Sequence, residues 1–230
     1  MRKYKHIFFD LDHTLWDFDT NAHLTLTDLY AKYGLSRYFD GFSTFFDSYQ
    51  PINLDLWDQY REGKINKETL NTERFYRPMK LAGFDDYEVA KAFAADFILL
   101  NPQQTGLMPH AVELLQYLKP RYQMHIVTNG FVETQFAKLE RSGIRHFFTH
   151  VFVSERIGAS KPKKAFFDHA VKSANARKKE SIVVGDNLEA DVMGAKKAGI
   201  DAVFFNPNGQ IHNQHPNYEI ASLKELFYIL

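Results

Sequence analysis

The chain has 230 residues, which is enough for one large α/β domain or for a core domain with a smaller companion. Its 28 basic and 28 acidic residues balance, so no global field attracts a nucleic acid polymer or an anionic membrane. The absence of cysteine excludes disulfide bonds and thiolate catalysis.

The start of the chain carries no signal for membrane targeting. The apolar stretch that follows the basic first residues runs only from Ile7 to Phe9, which is too short for a signal peptide. No later segment approaches the roughly 20 apolar residues that a membrane-spanning helix needs. We therefore expect a soluble, cytoplasmic protein.

The first predicted strand, His6–Asp10, ends in two acids, because Asp12 follows Asp10 by one residue. Carboxylates at the end of a buried strand repel each other and are costly to desolvate unless they hold a cation or take part in chemistry. By itself, the segment also fits a strand that ends in an ordinary Asx-rich turn. On a regular strand the two acids would point to opposite faces. If they act together, the chain must leave the extended conformation at Leu11–Thr14, and the Thr14 hydroxyl could stabilise that turn.

Residues 17–104 contain no strand pattern and have apolar and aromatic residues at helical spacing. About four helices are expected there. Asn66 is the predicted N-cap of a helix that runs to Gly83, and Asp85 with Glu88 begins the next one. This segment is therefore predicted to be an all-α bundle inserted after the first strand.

From residue 105 onward, short apolar strands alternate with amphipathic helices, which favours a parallel sheet covered on both faces. The predicted strands are Met124–Thr128, His150–Ser154, Ile182–Gly185 and Ala202–Asn206. The predicted helices are Ala111–Leu118, Val132–Arg141, one with Pro162 in its first turn, Leu188–Ala198, and a short one after the capping box Ser222–Glu225. The expected fold is a three-layer, Rossmann-like α/β core formed by residues 1–16 and 105–230, with residues 17–104 as a helical domain.

Polar residues follow the predicted strands where each one ends. In an open parallel sheet these ends meet in one crevice, so the side chains are expected to converge. Two or three acids, a hydroxyl beside a backbone N–H, and a lysine suit a divalent cation and a phosphoryl group. The residues are Asp10, Asp12, Thr14, Thr128, Asn129, Gly130, Lys161, Asp186, Asn187 and Asp191.

Four motifs, DLDHT, TNG, SKPKK and GDNLEAD, stand in this order along the chain. Together they resemble the four motifs of the haloacid dehalogenase superfamily, and the helical insert resembles the small α-helical cap of that superfamily. The stretch Asn53–Tyr60, taken with Val127–Phe131, is most similar to bacterial pyrimidine 5′-nucleotidases. The resemblance implies a Mg²⁺-dependent phosphatase that acts on a small phosphate ester, with a pyrimidine nucleoside monophosphate as the expected substrate.

The resemblance also implies roles for the acids. Asp10 is expected to be the nucleophile that forms an aspartyl-phosphate. Asp12 is expected to protonate the leaving group and then to activate water, which requires a pKa raised above the usual value of about 3.9. The expected Mg²⁺ ligands are Asp10, the backbone carbonyl of Asp12, and Asp186.

The phosphoryl oxygens are expected to be bound by the Thr128 hydroxyl, the Asn129 backbone N–H and Lys161. Asp191 is expected to support Lys161 and the metal ligands, and Asn187 either supports them or caps the helix that follows. Taken singly, Thr128 also fits an ordinary strand end, Asn129 a turn, and Lys161 a solvated helix start.

Four side chains are candidates for the substrate pocket, because a nucleobase can stack on an aromatic face. For any one of them, core packing is the competing interpretation. They are Phe18, Asn53, Trp57 and Tyr60.

Three other functions compete with a nucleotidase. A sugar-phosphate or phosphoglycolate phosphatase, or a phosphomutase, would use the same catalytic residues. A metal-free haloacid dehalogenase needs neither Asp12 nor Asp186, whose presence argues against it. A non-catalytic binding module is disfavoured because every expected catalytic position is filled. The sequence leaves the oligomeric state open.

Overall fold

The computed structural model describes residues 3–230. The chain forms two compact units. One, the α/β unit, consists of the residues up to Asp19 and of Thr105–Leu230, and the other, the helical unit, consists of Thr20–Gln104. Within the described part of the chain, no helix combines the length and the apolar character needed to cross a bilayer.

A single parallel sheet of six strands forms the centre of the α/β unit, in the order β3-β2-β1-β4-β5-β6. The expected α/β fold is confirmed. The strands are β1 His6–Phe9, β2 Gln123–Thr128, β3 His150–Val153, β4 Ser181–Gly185, β5 Asp201–Phe205 and β6 Tyr218–Ile220.

The helices are α1 Phe18–Lys32, α2 Phe42–Arg61, α3 Lys67–Leu81, α4 Tyr87–Leu100, α5 Ala111–Leu118, α6 Val132–Arg141, α7 Ser154–Ile157, α8 Lys164–Ser173, α9 Gly194–Lys197 and α10 Leu226–Ile229. Alternate residues of the buried strands face two separate apolar clusters, as the period of a strand requires. Helices α5, α6 and α10 contribute to the cluster on one face, and α8 and α9 contribute to the cluster on the other.

The helical unit packs around an aromatic core from α2, α3 and α4. The rings of Tyr49 and Phe75 stack with centroids 5.2 Å apart, and Phe75 lies 4.9 Å from Phe93. Asn66 caps α3 as expected, accepting a hydrogen bond from the backbone N–H of Thr69. These aromatic side chains give the unit an apolar interior of its own.

Three local predictions differ from the structure, and one strand was not predicted. The cap of α4 is Asp86, one residue after the predicted Asp85. Helix α8 begins at Lys164, so Pro162 precedes it. The predicted helix 188–198 is divided into a π-helical segment, Leu188–Met193, and α9. Strand β6 was not predicted.

The two connections to the helical unit lie side by side in the α/β unit. Trp16 and Leu107 form an antiparallel bridge. The backbone N–H of Met108 donates to the carbonyl of Leu15, and that of Asp17 donates to the carbonyl of Gly106. The chain therefore leaves and re-enters the α/β unit through paired, hydrogen-bonded segments.

Three histidines on adjacent strands stack across the sheet. His125 on β2 is fully buried, and its Nε2 lies 3.2 Å from Nδ1 of His6 on β1. Its ring centroid lies 5.4 Å from that of His150 on β3. Burial, with a further contribution from these two neighbours, lowers the pKa of His125 to about 3. The buried ring is therefore neutral near pH 7.

Candidate functional site

A tight turn follows β1 and takes the chain out of the extended conformation. The backbone N–H groups of Leu15 and Trp16 both donate to the carbonyl of Leu11, at 2.9 and 2.8 Å. His13 adopts a left-handed conformation with φ of 61°. The turn expected at Leu11–Thr14 is therefore present, and backbone hydrogen bonds hold it.

The hydroxyl of Thr14 binds the end of β4, and the expectation that it stabilises its own turn is wrong. Its Oγ1 donates to Oδ1 of Asp186 at 3.0 Å and accepts from the backbone N–H of Asp186 at 3.1 Å. Thr14 therefore fixes the position of the Asp186 carboxylate.

Lys161 lies at the centre of the site, with 3% of its side chain exposed. Its Nζ donates to Asp10 Oδ1 and Asp191 Oδ1, both at 2.6 Å, and to the carbonyl of Val127 at 2.9 Å. These bonds use all three donors of the ammonium group. Burial opposes the charge, but the two carboxylates outweigh it and raise the pKa of Lys161.

Three carboxylates gather at the ends of β1 and β4. Single oxygens of Asp10, Asp186 and Asp191 lie within 4.8 Å of one another. Burial raises the pKa of Asp10 well above its usual value, Lys161 opposes that effect, and the other two carboxylates add to it. Burial, followed by the charge of Asp191, raises the pKa of Asp186 to about 6.

One lysine cannot balance three acids. An excess of negative charge built from carboxylate oxygens is the chemistry that a hard divalent cation such as Mg²⁺ requires, so these residues fit the ion. The hydrogen bonds of Lys161 and Thr14 use one oxygen of Asp10 and one of Asp186. Both oxygens of Asp191 are bonded, one to Lys161 and one to the backbone N–H of Asn187, so Asp191 is suited to positioning.

The carboxylate of Asp12 is bound by helix α6. Lys138 Nζ lies 2.5 Å from its Oδ1, and Gln135 Nε2 lies 2.9 Å from its Oδ2. Burial alone would raise the pKa of Asp12, but the charge and hydrogen bond of Lys138, with the bond from Gln135, lower it. The expectation of a raised pKa is therefore wrong, because it did not include Lys138.

Gln135 and Lys138 are site residues that the sequence analysis missed. They lie three residues apart on α6 and share its buried face with Leu139. Their position beside a core leucine in the helical repeat was the available signal. Lysine is rarely buried without a partner, which favours reading it as solvated.

Thr128 and Asn129 follow β2 and are tied to neighbouring segments. Thr128 Oγ1 accepts from Gly130 N–H at 3.1 Å and from Gln135 Nε2 at 2.6 Å. The side chain of Asn129 forms two bonds with the backbone of Lys161, at 2.9 and 3.0 Å. A Cβ at Gly130 would lie 2.5 Å from the side chain of Gln135, so any other residue there would displace Gln135.

The π-helical segment after β4 places Asp191 against Lys161. Asn187 caps this segment by accepting from the backbone N–H of Ala190 at 2.8 Å, as its capping interpretation expected. A Cβ at Gly185 would lie 2.4 Å from Asp191 Cγ, so the absence of a side chain there lets the carboxylate approach the strand.

The four candidates for the substrate pocket are divided between the two units. Phe18 lies in the α/β unit, where its ring centroid is 4.9 Å from that of His13 and 5.3 Å from Lys138 Nζ. Asn53, Trp57 and Tyr60 lie on α2 in the helical unit, all half-buried. The rings of Trp57 and Tyr60 meet edge to face at 5.9 Å.

Comparison with known proteins gives matches over almost the whole chain. A model of the haloacid dehalogenase-like hydrolases matches residues 4–199. The chain is 34% identical over 227 residues to the pyrimidine 5′-nucleotidase PynA of Streptococcus pneumoniae, covering 97% of this chain and 93% of that protein. It is 32% identical to the pyrimidine 5′-nucleotidase YjjG of Escherichia coli, covering 99% and 98%.

Among solved structures, the HAD-hydrolase YfnB of Bacillus subtilis, in a crystal form bound to magnesium, has a TM-score of 0.90. It is 29% identical and the match covers 99% of each chain.

Proposed function

Because this chain belongs to the haloacid dehalogenase-like hydrolase family and is a phosphatase of that family, we propose that it is a Mg²⁺-dependent 5′-nucleotidase acting on pyrimidine nucleoside monophosphates. The observation that carries the proposal is the cluster of Asp10, Asp186 and Asp191, in which Asp10 and Asp191 bind Lys161, at the same edge of the sheet as Thr128 at the end of β2. The choice of a pyrimidine nucleoside monophosphate as the substrate is supported by the two pyrimidine 5′-nucleotidases that match nearly the full chain.

The metal would be held by Asp10, by Asp186 and by the backbone carbonyl of Asp12. When bound, Mg²⁺ supplies positive charge that neutralises the phosphoryl group and the two ligand carboxylates. Asp191 would remain on Lys161 and hold the ammonium group in place. The magnesium in the YfnB crystal structure supports this choice of ion.

Asp10 would act as the nucleophile. A carboxylate oxygen of Asp10 forms a bond to phosphorus while the bond from phosphorus to the ester oxygen breaks, which leaves an aspartyl-phosphate and an alkoxide. Lys161 favours the ionised form of Asp10 that this step needs, because its Nζ lies 2.6 Å from the carboxylate.

Asp12 would move the protons of both steps. It gives a proton to the leaving alkoxide, and in the second step it takes one from the water that attacks the aspartyl-phosphate. The proton gained in the second step is the one donated in the next cycle, so the two steps balance. The ion pair with Lys138 favours the ionised Asp12 that accepts a proton from water and disfavours the protonated Asp12 that serves the first step.

The phosphoryl oxygens would accept hydrogen bonds from the Thr128 hydroxyl and the Asn129 backbone N–H, and the positive charge of Lys161, whose three donors are already used, would neutralise them. Charge in a loose phosphoryl transition state lies on these oxygens, so fixed donors there lower the barrier. Phe18, Asn53, Trp57 and Tyr60 are proposed to contact the nucleoside, as a polar amide and aromatic faces suit a pyrimidine ring.

The test is phosphate release from a panel of nucleoside and sugar monophosphates, with Mg²⁺ and then with EDTA. We expect metal-dependent release, highest for pyrimidine nucleotides, that is lost in Asp10→Asn and retained in the exposed control Asp28→Asn. Sugar phosphates that exceed all nucleotides by about tenfold would refute the nucleotidase assignment and leave the phosphatase in place. Metal-independent release of halide from a haloacid would favour the dehalogenase.

A further inference from the structure

One side-chain amide joins two elements of the site. Gln135 Nε2 lies 2.6 Å from Thr128 Oγ1 and 2.9 Å from Asp12 Oδ2. Gln135 is fully buried, and the absence of a side chain at Gly130 leaves room for it. A single NH₂ group therefore contacts both the residue proposed to move protons and the hydroxyl proposed to bind phosphate.

The orientation of this amide follows from chemistry. A carboxylate oxygen accepts hydrogen bonds and has no hydrogen to give, so the amide must turn its NH₂ group toward Asp12. The two N–H bonds of that group are then both used, one on Asp12 and one on Thr128. The amide oxygen of Gln135 is buried and has no hydrogen-bond partner among residues 3–230.

The hydroxyl of Thr128 is fixed by the same bonds. Its oxygen accepts one hydrogen from Gln135 and a second from the backbone N–H of Gly130. A hydroxyl offers two lone pairs and one hydrogen, so both of its acceptor positions are filled. Only the hydrogen of the hydroxyl is still available to a ligand, so toward a ligand Thr128 can act only as a hydrogen-bond donor.

We propose that Gln135 is a positioning residue that locks the Thr128 hydroxyl as a donor toward the phosphoryl group and ties it to Asp12. The proposal rests on the proposed function, because it takes Thr128 to be the phosphate-binding hydroxyl. A Gln kept only for packing would satisfy its amide oxygen, because an unpartnered buried acceptor destabilises the fold. The arrangement instead uses the amide nitrogen fully and leaves the oxygen without a partner.

A double-mutant cycle between Thr128 and Gln135 separates positioning from packing. The variants are Thr128→Val, Gln135→Glu and the double variant, and the measurement is calorimetric binding of inorganic phosphate at pH 8 with Mg²⁺, together with KM and kcat. In the wild type, Thr128→Val is expected to weaken phosphate binding by about 10- to 100-fold, the usual effect of a hydrogen bond to a charged group.

Gln135→Glu replaces the two N–H donors with a carboxylate, which accepts the Thr128 hydrogen and withdraws it from phosphate. We expect it to weaken phosphate binding, and we expect Thr128→Val to have less than about threefold further effect in that background. Repulsion between the new carboxylate and phosphate would also weaken binding, but it would leave the effect of Thr128→Val at full size. Additive losses, or an unchanged affinity in Gln135→Glu, would overturn the proposal.

Gln135→Met provides the second variant, because it keeps the approximate volume and carries no donor or new charge. Met has no donor to hold the Thr128 hydroxyl but does not capture its hydrogen, so we expect Gln135→Met to lose less affinity than Gln135→Glu, and Thr128→Val to have a smaller effect in this background than in the wild type. Equal losses in the two variants would identify a packing role and refute the proposal. Gln116→Glu, on the exposed side of α5, is the control for the same chemical change.

The two proposals fail in different ways. If the wild type hydrolyses no phosphate ester but phosphate binding shows the non-additive cycle, the proposed function is wrong and the role of Gln135 stands. If the wild type is an active nucleotidase and the cycle is additive, the role of Gln135 is wrong and the proposed function stands.

Discussion

Acid should destabilise the α/β unit through His125. The native ring is neutral with a pKa of about 3, whereas an unfolded histidine has a pKa of about 6.5. The native pKa is thus the lower of the two, and the unfolded state binds more protons between these values. The stabilising contribution of the neutral ring is fully present above about pH 6.5 and is lost as the pH falls toward 3.

The size of the effect follows from the two pKa values. Between pH 7 and pH 5 the unfolded histidine becomes almost fully protonated while the native ring stays neutral. The unfolding free energy then falls by about 2 kcal/mol from this residue alone. His6 and His150 face His125 from the neighbouring strands, so His125→Phe keeps a stacked ring and removes the buried titrating group together with its hydrogen bond to His6.

Urea unfolding at pH 7 and pH 5, at equal ionic strength, measures this loss. The fluorescence of Trp16, which is fully buried, reports on the α/β unit in a Trp57→Phe background. We expect the loss to be about 2 kcal/mol smaller in His125→Phe than in the parent, and unchanged in His215→Gln, which lies in an exposed loop. Equal losses in the parent and in His125→Phe would refute the reasoning.

Three further changes act on the site. Lys161→Met leaves two buried carboxylates without their cation, so we expect urea unfolding without metal to show a loss of about 3–5 kcal/mol, and phosphate release to disappear. Gly185→Ala puts a methyl group 2.4 Å from Asp191 Cγ, so we expect about 1–3 kcal/mol lower stability in thermal unfolding and a lower kcat. Lys138→Met removes the ion-pair partner of Asp12, so we expect kcat to fall about tenfold or more, with KM less affected.

For each of these three predictions, one result would contradict it. A Lys161→Met protein with parental stability would mean that the two carboxylates are not held together by this cation. Normal kcat in Gly185→Ala would show that the position of Asp191 does not matter for turnover. Lys138→Arg, which keeps the charge, should recover part of the activity that the methionine variant loses, and no recovery would point to packing against Trp16 instead.

Most strands and helices could be predicted because their patterns are local. Helices α5 and α6 have the predicted bounds, since a proline or glycine marks where each can end. Strand β6 was missed because it is three residues long and lies at the sheet edge, too short for alternation to be visible. The π-helical segment was missed because apolar spacing over six residues does not separate it from an α-helix.

The cluster of charged groups was predictable in part, because the order of the strands determines which residues meet at the edge of the sheet. Asp10 and Asp186 directly follow β1 and β4, so the fold brings them together, and Lys161 comes from the segment between α7 and α8. Which groups bind the carboxylate of Asp12 was not predictable, because that depends on the shape of the turn after β1. Lys138 lies on the buried face of α6, but the usual solvent exposure of lysine hides this from the sequence.

The paired segments at Leu15–Asp17 and Gly106–Met108 have a consequence for how this protein can change. The 85 residues of Thr20–Gln104 are connected to the α/β unit through these two paired segments, which have the geometry of a hairpin stem. In the topology of the sheet they therefore count as one long loop between β1 and β2. A different insert, or a tight reverse turn, could be spliced onto that stem without altering strand register. The insert can therefore be exchanged while the residues of the candidate site keep their places on the sheet.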